Sequence, residues 1–472
     1  MNSSNSKESG KGALHLRLLD TKDDPFGIFC RLYQLHKRLF ILESLVGPKK
    51  LTEFSIVGFD PDLVVSCDSS NLYVRNSKNK IVRTEELVNP LEQLRRLVPK
   101  LRNNRFRYVG GAVGFIGYDA IRYWEQIPSK RRERNYPILE FGIYTDGILY
   151  DHQKNKAHYF TTGKSRYDEI KHEVQATKPI TLKNFSCSNP ATSLSKNKFL
   201  HMVKKAKRYI YEGDIFQVVL SKNTSFTVNG DLLPVYDNLR VLNPSPYMYF
   251  LKLGNMAIIG SSPEMLVRVT AKQVETFPIA GTRPVVKNEI ENKNLAKEML
   301  ADEKEVAEHT MLVDLARNDL GRVCKYGTVK VRELMSIKRF SHVQHIVSHV
   351  EGHLAPKFTS YDALKVVFPA GTVSGAPKVR AMEIIDELEP YGRGLYAGAI
   401  GYFSSNGSCD FAITIRSLIV NGHRASIQSG AGIVIDSVPE KEWKETEDKA
   451  QGIITALKKA SKGLRSGKLM RA

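Results

Sequence analysis

The stretch EVAEHTMLVDLARNDLGR, residues 305–322, reads as a helix that opens with two glutamates three residues apart, Glu305 and Glu308. The segment PEKEWKETEDKA, residues 439–450, repeats the device with Glu442 and Glu445. Three residues is slightly less than one helical turn, so each pair projects from one face of its helix. The ordinary reading of such a pair is a solvated face. Two features argue against it here. Met311, Leu312, Val313, Leu315 and Ala316 follow Glu308, which predicts a helix buried over much of its circumference. The second pair comes just after SGAGIV, residues 429–434, a glycine-bearing run that reads as a buried strand. If the two faces meet, four carboxylates share one pocket, and a cation must offset their repulsion. A hard, oxygen-seeking Mg²⁺ suits such donors, because it accepts one or two carboxylates and keeps positions for water and an anionic substrate. The expectation is a metal-assisted enzyme acting on a carboxylic acid.

Around these segments the chain patterns as α+β. Its 472 residues allow two or three domains. Residues 14–180 carry short strand-like runs such as FSIVGF and DLVVSC, with few helices, and read as a β-rich N-terminal domain. Residues 181–197 are rich in Ser, Asn and Lys and read as a linker. Residues 198–460 form the larger unit, in which strands such as MYFLKL and MAIIGSS alternate with helices. Its first helix, FLHMVKKAKRYIYEGD, places Leu200, Val203, Ala206 and Ile210 on one face. Residues 1–13 and the basic 461–472 read as tails. No apolar run is long enough to cross a bilayer, and no apolar core follows the N-terminal charges as in a secretory signal. A cytoplasmic protein without a membrane partner is expected.

The net charge of +20 raises nucleic-acid binding as a competing function. Much of the excess lies in the tails and in PSKRRER, residues 128–134, and no zinc-finger spacing, RNA-binding aromatic motif or heptad zipper accompanies it. No nucleic acid is therefore expected as a partner, and a positive field that draws in an anionic substrate is the milder reading. The five cysteines are scattered, which argues against a zinc ribbon or a disulfide framework. His342, His345 and His349 suggest zinc if helical, but the interleaved Val343, Ile346, Val347 and Val350 read as a strand, which separates His342 from the other two. FPAGTVSGAPKVRAMEII, residues 368–385, lacks phosphate-loop spacing. It still places a helix start near Lys378, which suits a carboxylate.

Taken together, these segments resemble the chorismate-utilising enzymes, and among them the large subunits of anthranilate synthases. The resemblance runs in order through GDIFQVVLS, NPSPYMYF, GSSPEMLVRV, PIAGTRP, the first glutamate pair, HVQHIVSHVEG, FPAGTVSGAPK, RGLYAGAIGYF, AITIRS, SGAGIV and the second glutamate pair. GGAVGFIGYDAIRYWE and ILES are similar to the first domain of the same proteins. The resemblance implies a large mixed α/β sandwich with the N-terminal β-rich domain packed against it. It also implies Mg²⁺ bridging Glu308 and Glu445 to the ring carboxylate of chorismate, with Glu305 and Glu442 in support through water. Glu264 takes the role of the acid that protonates the departing ring hydroxyl, which needs a raised pKa. Tyr396 and Arg416 match positions that hold the enolpyruvyl carboxylate, an apt use of a planar guanidinium. The N–H groups of Gly430 and Gly432, flanking Ala431, are expected to face a substrate carboxylate where a side chain would block approach. Thr282, Ser374 and Lys449 match further substrate contacts, and His345 matches a histidine assigned to pyruvate elimination.

Members of this family differ in their nucleophile. Water-using relatives place a lysine base where this chain has Gln217, and a glutamine cannot serve as that base. Aminodeoxychorismate synthases often carry an attacking lysine where this chain has Ala280. Gln217 with Ala280 therefore points to ammonia as nucleophile and to the anthranilate branch, with the aminodeoxychorismate branch as the alternative. No cysteine lies in the Gly-x-Cys-x-Gly setting of a glutamine amidotransferase, so a separate amidotransferase subunit is the expected ammonia source. Glu43 and Ser44, with Pro246, Tyr247 and Met248, match the family's effector pocket for tryptophan, either regulatory or structural.

Overall fold

The computed structural model describes residues 13–47, 53–103, 105–128, 136–176, 182–339 and 343–464. Residues 1–12 and 465–472 of the tails, most of the basic run 128–134, and His342 lie outside the described residues.

Two large antiparallel sheets, of thirteen and twelve strands, share one core and carry helices on their outer faces. Each sheet mixes early and late chain. In the first, Arg38–Glu43 lies against Tyr247–Leu253, with Glu43 opposite Met248. In the second, Gly111–Ile116 lies against Ala399–Ser404. The stretch read as a linker contributes to the first sheet: Ser186–Cys187 and Ala191–Thr192 each pair with the long strand Gln217–Asn229.

Between the sheets, Phe40 and Tyr249 of the first meet Phe115, Tyr144 and Tyr402 of the second. The outer face of the first sheet is covered by Pro25–Leu32, Tyr167–Gln175, Leu233–Leu242 and Pro439–Ser461. Pro90–Leu97, Glu303–Gly321 and Ser360–Val367 cover the second. The layers run helix, sheet, sheet, helix, an α+β sandwich. Burial of both sheet faces explains why the strands do not alternate cleanly: Phe54–Phe59 carries five buried residues in succession.

The helix Lys196–Tyr211 starts at Ser195, whose hydroxyl accepts from Lys198 N–H at 3.4 Å. Its buried face is Phe199, Met202, Val203 and Ala206, so Leu200 and Ile210 flank the expected stripe. The helix after FPAGTVSGAP spans Lys378–Leu388, as its sequence predicts.

Candidate active site

Both acidic helices begin at the same cleft. Glu303–Gly321 is capped by Asp302, whose carboxylate accepts from the N–H groups of Lys304 and Glu305 at 3.0 and 3.3 Å. Its buried side is narrower than the sequence predicts: Leu312, Val313 and Leu320 are buried, while Met311, Leu315 and Ala316 are half-buried. The second helix, Pro439–Ser461, opens with proline, whose fixed φ suits a first turn and whose missing N–H costs nothing there.

Charge links the two first turns. Burial pushes the Glu308 carboxyl upward, and Glu305 and Glu445 push it further, against a hydrogen bond from Gln217 Nε2 to its Oε1 at 2.7 Å. Glu442 is likewise raised by burial and by Glu445, with Ser437, Lys304 and Lys449 opposing. Glu445 lies at the rim, 45 % exposed, with Lys449 Nζ at 2.6 Å. Arg283 Nη1 donates to Glu305 Oε1 at 3.1 Å. Repulsion thus couples the four glutamates across the two first turns, with Lys449 and Arg283 supplying part of the countercharge. Their carboxylate oxygens are donors that suit a hard divalent ion, whose charge would relieve the upward push on half-buried Glu308 and buried Glu442.

A tighter cluster lies elsewhere. Among the described residues, Glu275, His349 and Glu351 bring ligand atoms within 4.8 Å of one another. Glu351, however, accepts from Arg332 and from Gln273 Nε2, and His349 stacks on Phe277 with ring centroids 4.3 Å apart. His345 faces a different neighbourhood. Its Nδ1 is 2.7 Å from Gly281 O and 3.1 Å from Thr282 Oγ1, and burial and Arg416 lower its pKa. Both histidines lie on the strand Val343–His353, as their valine-rich setting predicts. Ala280 is opposite Ile346 on the neighbouring strand.

Glu264 is buried after the strand Met256–Ser262, and its pKa is pushed up to about 8 by that burial, with Thr372 and Lys449 pulling the other way. It therefore holds a proton at neutral pH. Gln217 is also buried: its Nε2 is committed to Glu308, while its Oε1 has no partner. Ser374 is buried, its hydroxyl donating to Ala370 O at 2.7 Å.

Beside the strand Gln217–Asn229 runs the strand Arg424–Ile433, with Gly432 across from Val219, Ala431 from Leu220 and Gly430 from Ser221. The N–H of Val219 goes to Ser374 O at 2.9 Å, and that of Ser221 to Glu389 Oε1 at 2.7 Å. These two residues turn their N–H groups away from the glycines, so Gly430 and Gly432 point theirs away from Gln217–Asn229 as well. The strand on that other side, Ser417–Asn421, pairs only as far as Ile427. The glycine N–H groups consequently face an open edge, where Lys449 Nζ already donates to Gly430 O at 2.9 Å. A Cβ on Gly430 would lie 2.5 Å from the Tyr396 hydroxyl, and one on Gly432 would lie 2.8 Å from Gln217 Nε2.

Tyr396 is buried, with its phenol pushed up to about 12 by that burial. Arg416 adopts φ +50° just before the strand Ser417–Asn421. Burial lowers its pKa, against the pull of Tyr396 and Glu445. An arginine beside a phenol and two outward-facing glycine N–H groups offers the kind of donors from which a carboxylate accepts.

Glu43, Ser44, Pro246, Tyr247 and Met248 all line one small cavity between the sheets, with Arg268 and Asp410. Glu43 is already engaged: it accepts from Tyr236 Oη at 2.8 Å and from Arg240 Nε at 2.7 Å. The Ser44 hydroxyl is buried without a partner. Thr372 beside Glu264, Arg283 on Glu305, and Arg240 on Glu43 are absent from the sequence reading. Each acts through a residue distant in the chain, so spacing alone carries no signal for them.

The chain belongs to the chorismate binding enzyme family, whose model matches residues 43–455. Anthranilate synthase component 1 of Methanothermobacter thermautotrophicus is 46% identical over 443 residues, 94% of each chain. That of Saccharolobus solfataricus is 42% identical over 434 residues, 92% of this chain and 97% of the relative. Among solved structures, anthranilate synthase component I from Streptococcus pneumoniae superposes with a TM-score of 0.76 at 38% identity, covering 87% of this chain and 94% of that one. The menaquinone-specific isochorismate synthase MenF of Escherichia coli shares the fold, with a TM-score of 0.72 at 20% identity over 96% of each chain.

Proposed function

We propose that this chain is the chorismate-using component of an anthranilate synthase, converting chorismate and ammonia to anthranilate and pyruvate. The observation that carries the reading is Gln217. Its amide is fixed to Glu308 at 2.7 Å, in the place where water-using relatives need a base. An amide does not accept a proton near neutrality, so water stays unactivated, whereas ammonia is nucleophilic as its free base.

Glu264 enters with its proton on and delivers it to the ring hydroxyl, which leaves as water while ammonia forms the new C–N bond. Loss of the proton on the nitrogen-bearing ring carbon then breaks the neighbouring ring C–O bond, leaving an aromatic ring and expelling enolpyruvate, which takes up a proton on its methylene carbon to become pyruvate. His345 suits the base of that step: Nδ1 carries its hydrogen toward Gly281 O, which makes Nε2 the basic nitrogen. Arg416, Tyr396 and the N–H groups of Gly430 and Gly432 hold the enolpyruvyl carboxylate. Glu308 and Glu445, with Glu305 and Glu442 behind them, would hold Mg²⁺, which when bound neutralises and orients the ring carboxylate. Ser374, Thr282 and Lys449 complete the polar lining.

The reading includes a separate glutamine amidotransferase chain as ammonia source, a cytoplasmic setting, and tryptophan as inhibitor in the cavity lined by Ser44 and Met248. The test is product analysis with chorismate, Mg²⁺ and an ammonium salt at alkaline pH. Equal yields of anthranilate and pyruvate support the reading. Aminodeoxychorismate without pyruvate would overturn it in favour of the sibling activity.

A further inference from the structure

Arg393 does not face the cleft, yet three walls of the cleft are tied to it. Its side chain is 1 % exposed. Nη1 donates to Val373 O and Nη2 to Val219 O, both at 2.6 Å. Nε and Nη2 also form a fork onto Glu389 at 3.0 and 2.8 Å. Glu389 in turn accepts from both N–H and Oγ of Ser221, at 2.7 and 2.8 Å.

Each of these contacts neighbours a residue that the chorismate reading places against substrate. Val373 precedes Ser374, Val219 lies opposite Gly432, and Ser221 lies opposite Gly430. The carbonyl of Arg393 itself accepts from Tyr396 N–H at 3.0 Å, and its guanidinium stands 5.4 Å from the Tyr396 ring. One buried cation thereby fixes the relative placement of the Ser374 turn, the glycine edge and the phenol. A fully buried ion pair adds little net stability compared with apolar packing of the same volume. What the pair supplies here is register among elements that are far apart in sequence.

We infer that Arg393, locked by Glu389, is a positioning residue for the substrate's enolpyruvyl carboxylate, setting affinity through Tyr396, Ser374 and the glycine edge without touching substrate. The inference rests on the chorismate reading and deepens it.

The experiment compares the full chain with Arg393→Lys and Glu389→Gln, measuring KM for chorismate, kcat with ammonium and Tm. Lysine keeps the charge but loses the fork and the simultaneous reach to Val219 and Val373. Arg393→Lys should raise KM about tenfold while kcat at saturation stays within about threefold, the pattern of lost uniform binding. Glu389→Gln, nearly isosteric, should raise KM by a smaller factor in the same direction. A lowered Tm with unchanged KM in either folded variant would overturn the inference and leave a purely structural pair. Should Arg393→Lys fail to fold, Glu389→Gln alone decides. Wild-type turnover of chorismate is the separate check on the underlying reading: its failure removes that reading, whereas normal wild-type KM with unmoved variants removes only the role of Arg393.

Discussion

Deprotonating Glu264 should switch off the first chemical step. With its pKa pushed up to about 8, the carboxyl is protonated in about nine molecules in ten at pH 7 and in about one in ten at pH 9. Ammonia titrates in the same range, so the assay holds free-base ammonia constant while pH varies. Under that condition kcat/KM for chorismate should fall roughly tenfold from pH 7 to pH 9, following one ionisation of the free enzyme. The cause is burial, which disfavours the carboxylate, only partly offset by Thr372 and Lys449. Glu264→Gln keeps the shape and removes the acid, and should cost about 10²–10⁴ in kcat. Its residual rate should lose the alkaline limb. Continuous anthranilate fluorescence reads both effects. A flat profile between pH 7 and pH 9, or the same limb persisting in Glu264→Gln, would refute the assignment.

Other predictions follow the same geometry. Glu445→Ala removes a rim carboxylate and should lower Mg²⁺-dependent turnover by at least about 10²-fold, with Mg²⁺ binding weakened in calorimetry; near-normal activity defeats the metal assignment. Gly430→Ala places a methyl 2.5 Å from the Tyr396 hydroxyl and should raise the chorismate KM by about tenfold or more while the sheet stays folded by circular dichroism. His36 bridges Asp60 at 2.6 Å and Glu173 at 2.9 Å; burial pulls its pKa down, and the two carboxylates more than reverse this, raising it to about 9. A histidine raised on folding stabilises fully below its unfolded pKa and loses that contribution as pH climbs past the folded one. The charge-linked part of the loss in His36→Gln should therefore be about 3 kcal/mol at pH 6 and almost nothing at pH 10, read by denaturant melts; equal losses at both pH values would contradict the ion triad.

The glutamate pairs and the glycine strand of the candidate site were legible because their patterns are local in sequence, whereas Glu264, His345, Tyr396 and Arg416 were implied by the family resemblance alone. Glu305 with Glu308, and Glu442 with Glu445, announce themselves by helical spacing, and SGAGIV by its glycines. The fold class followed from patterns of the same short range. The sheet order did not, because Glu43 pairs with Met248 and Gly114 with Gly401, far beyond any periodic window. Strands buried on both faces also lack the alternation that would mark them individually. The same distance hides electrostatic partners: nothing near Glu43 predicts Arg240, and nothing near Ser221 predicts Glu389. Motif residues are therefore readable, while the groups that hold them in place emerge only from packing.

The central claim is that this cleft selects ammonia over water, because Gln217 is pinned to Glu308 and cannot act as a base. The most direct measurement is turnover of chorismate with nitrogen-15 ammonium in oxygen-18 water, followed by mass spectrometry of every ring product. The account predicts anthranilate carrying the heavy nitrogen, with no ring hydroxyl drawn from solvent. An isochorismate-type product carrying oxygen-18 would contradict it.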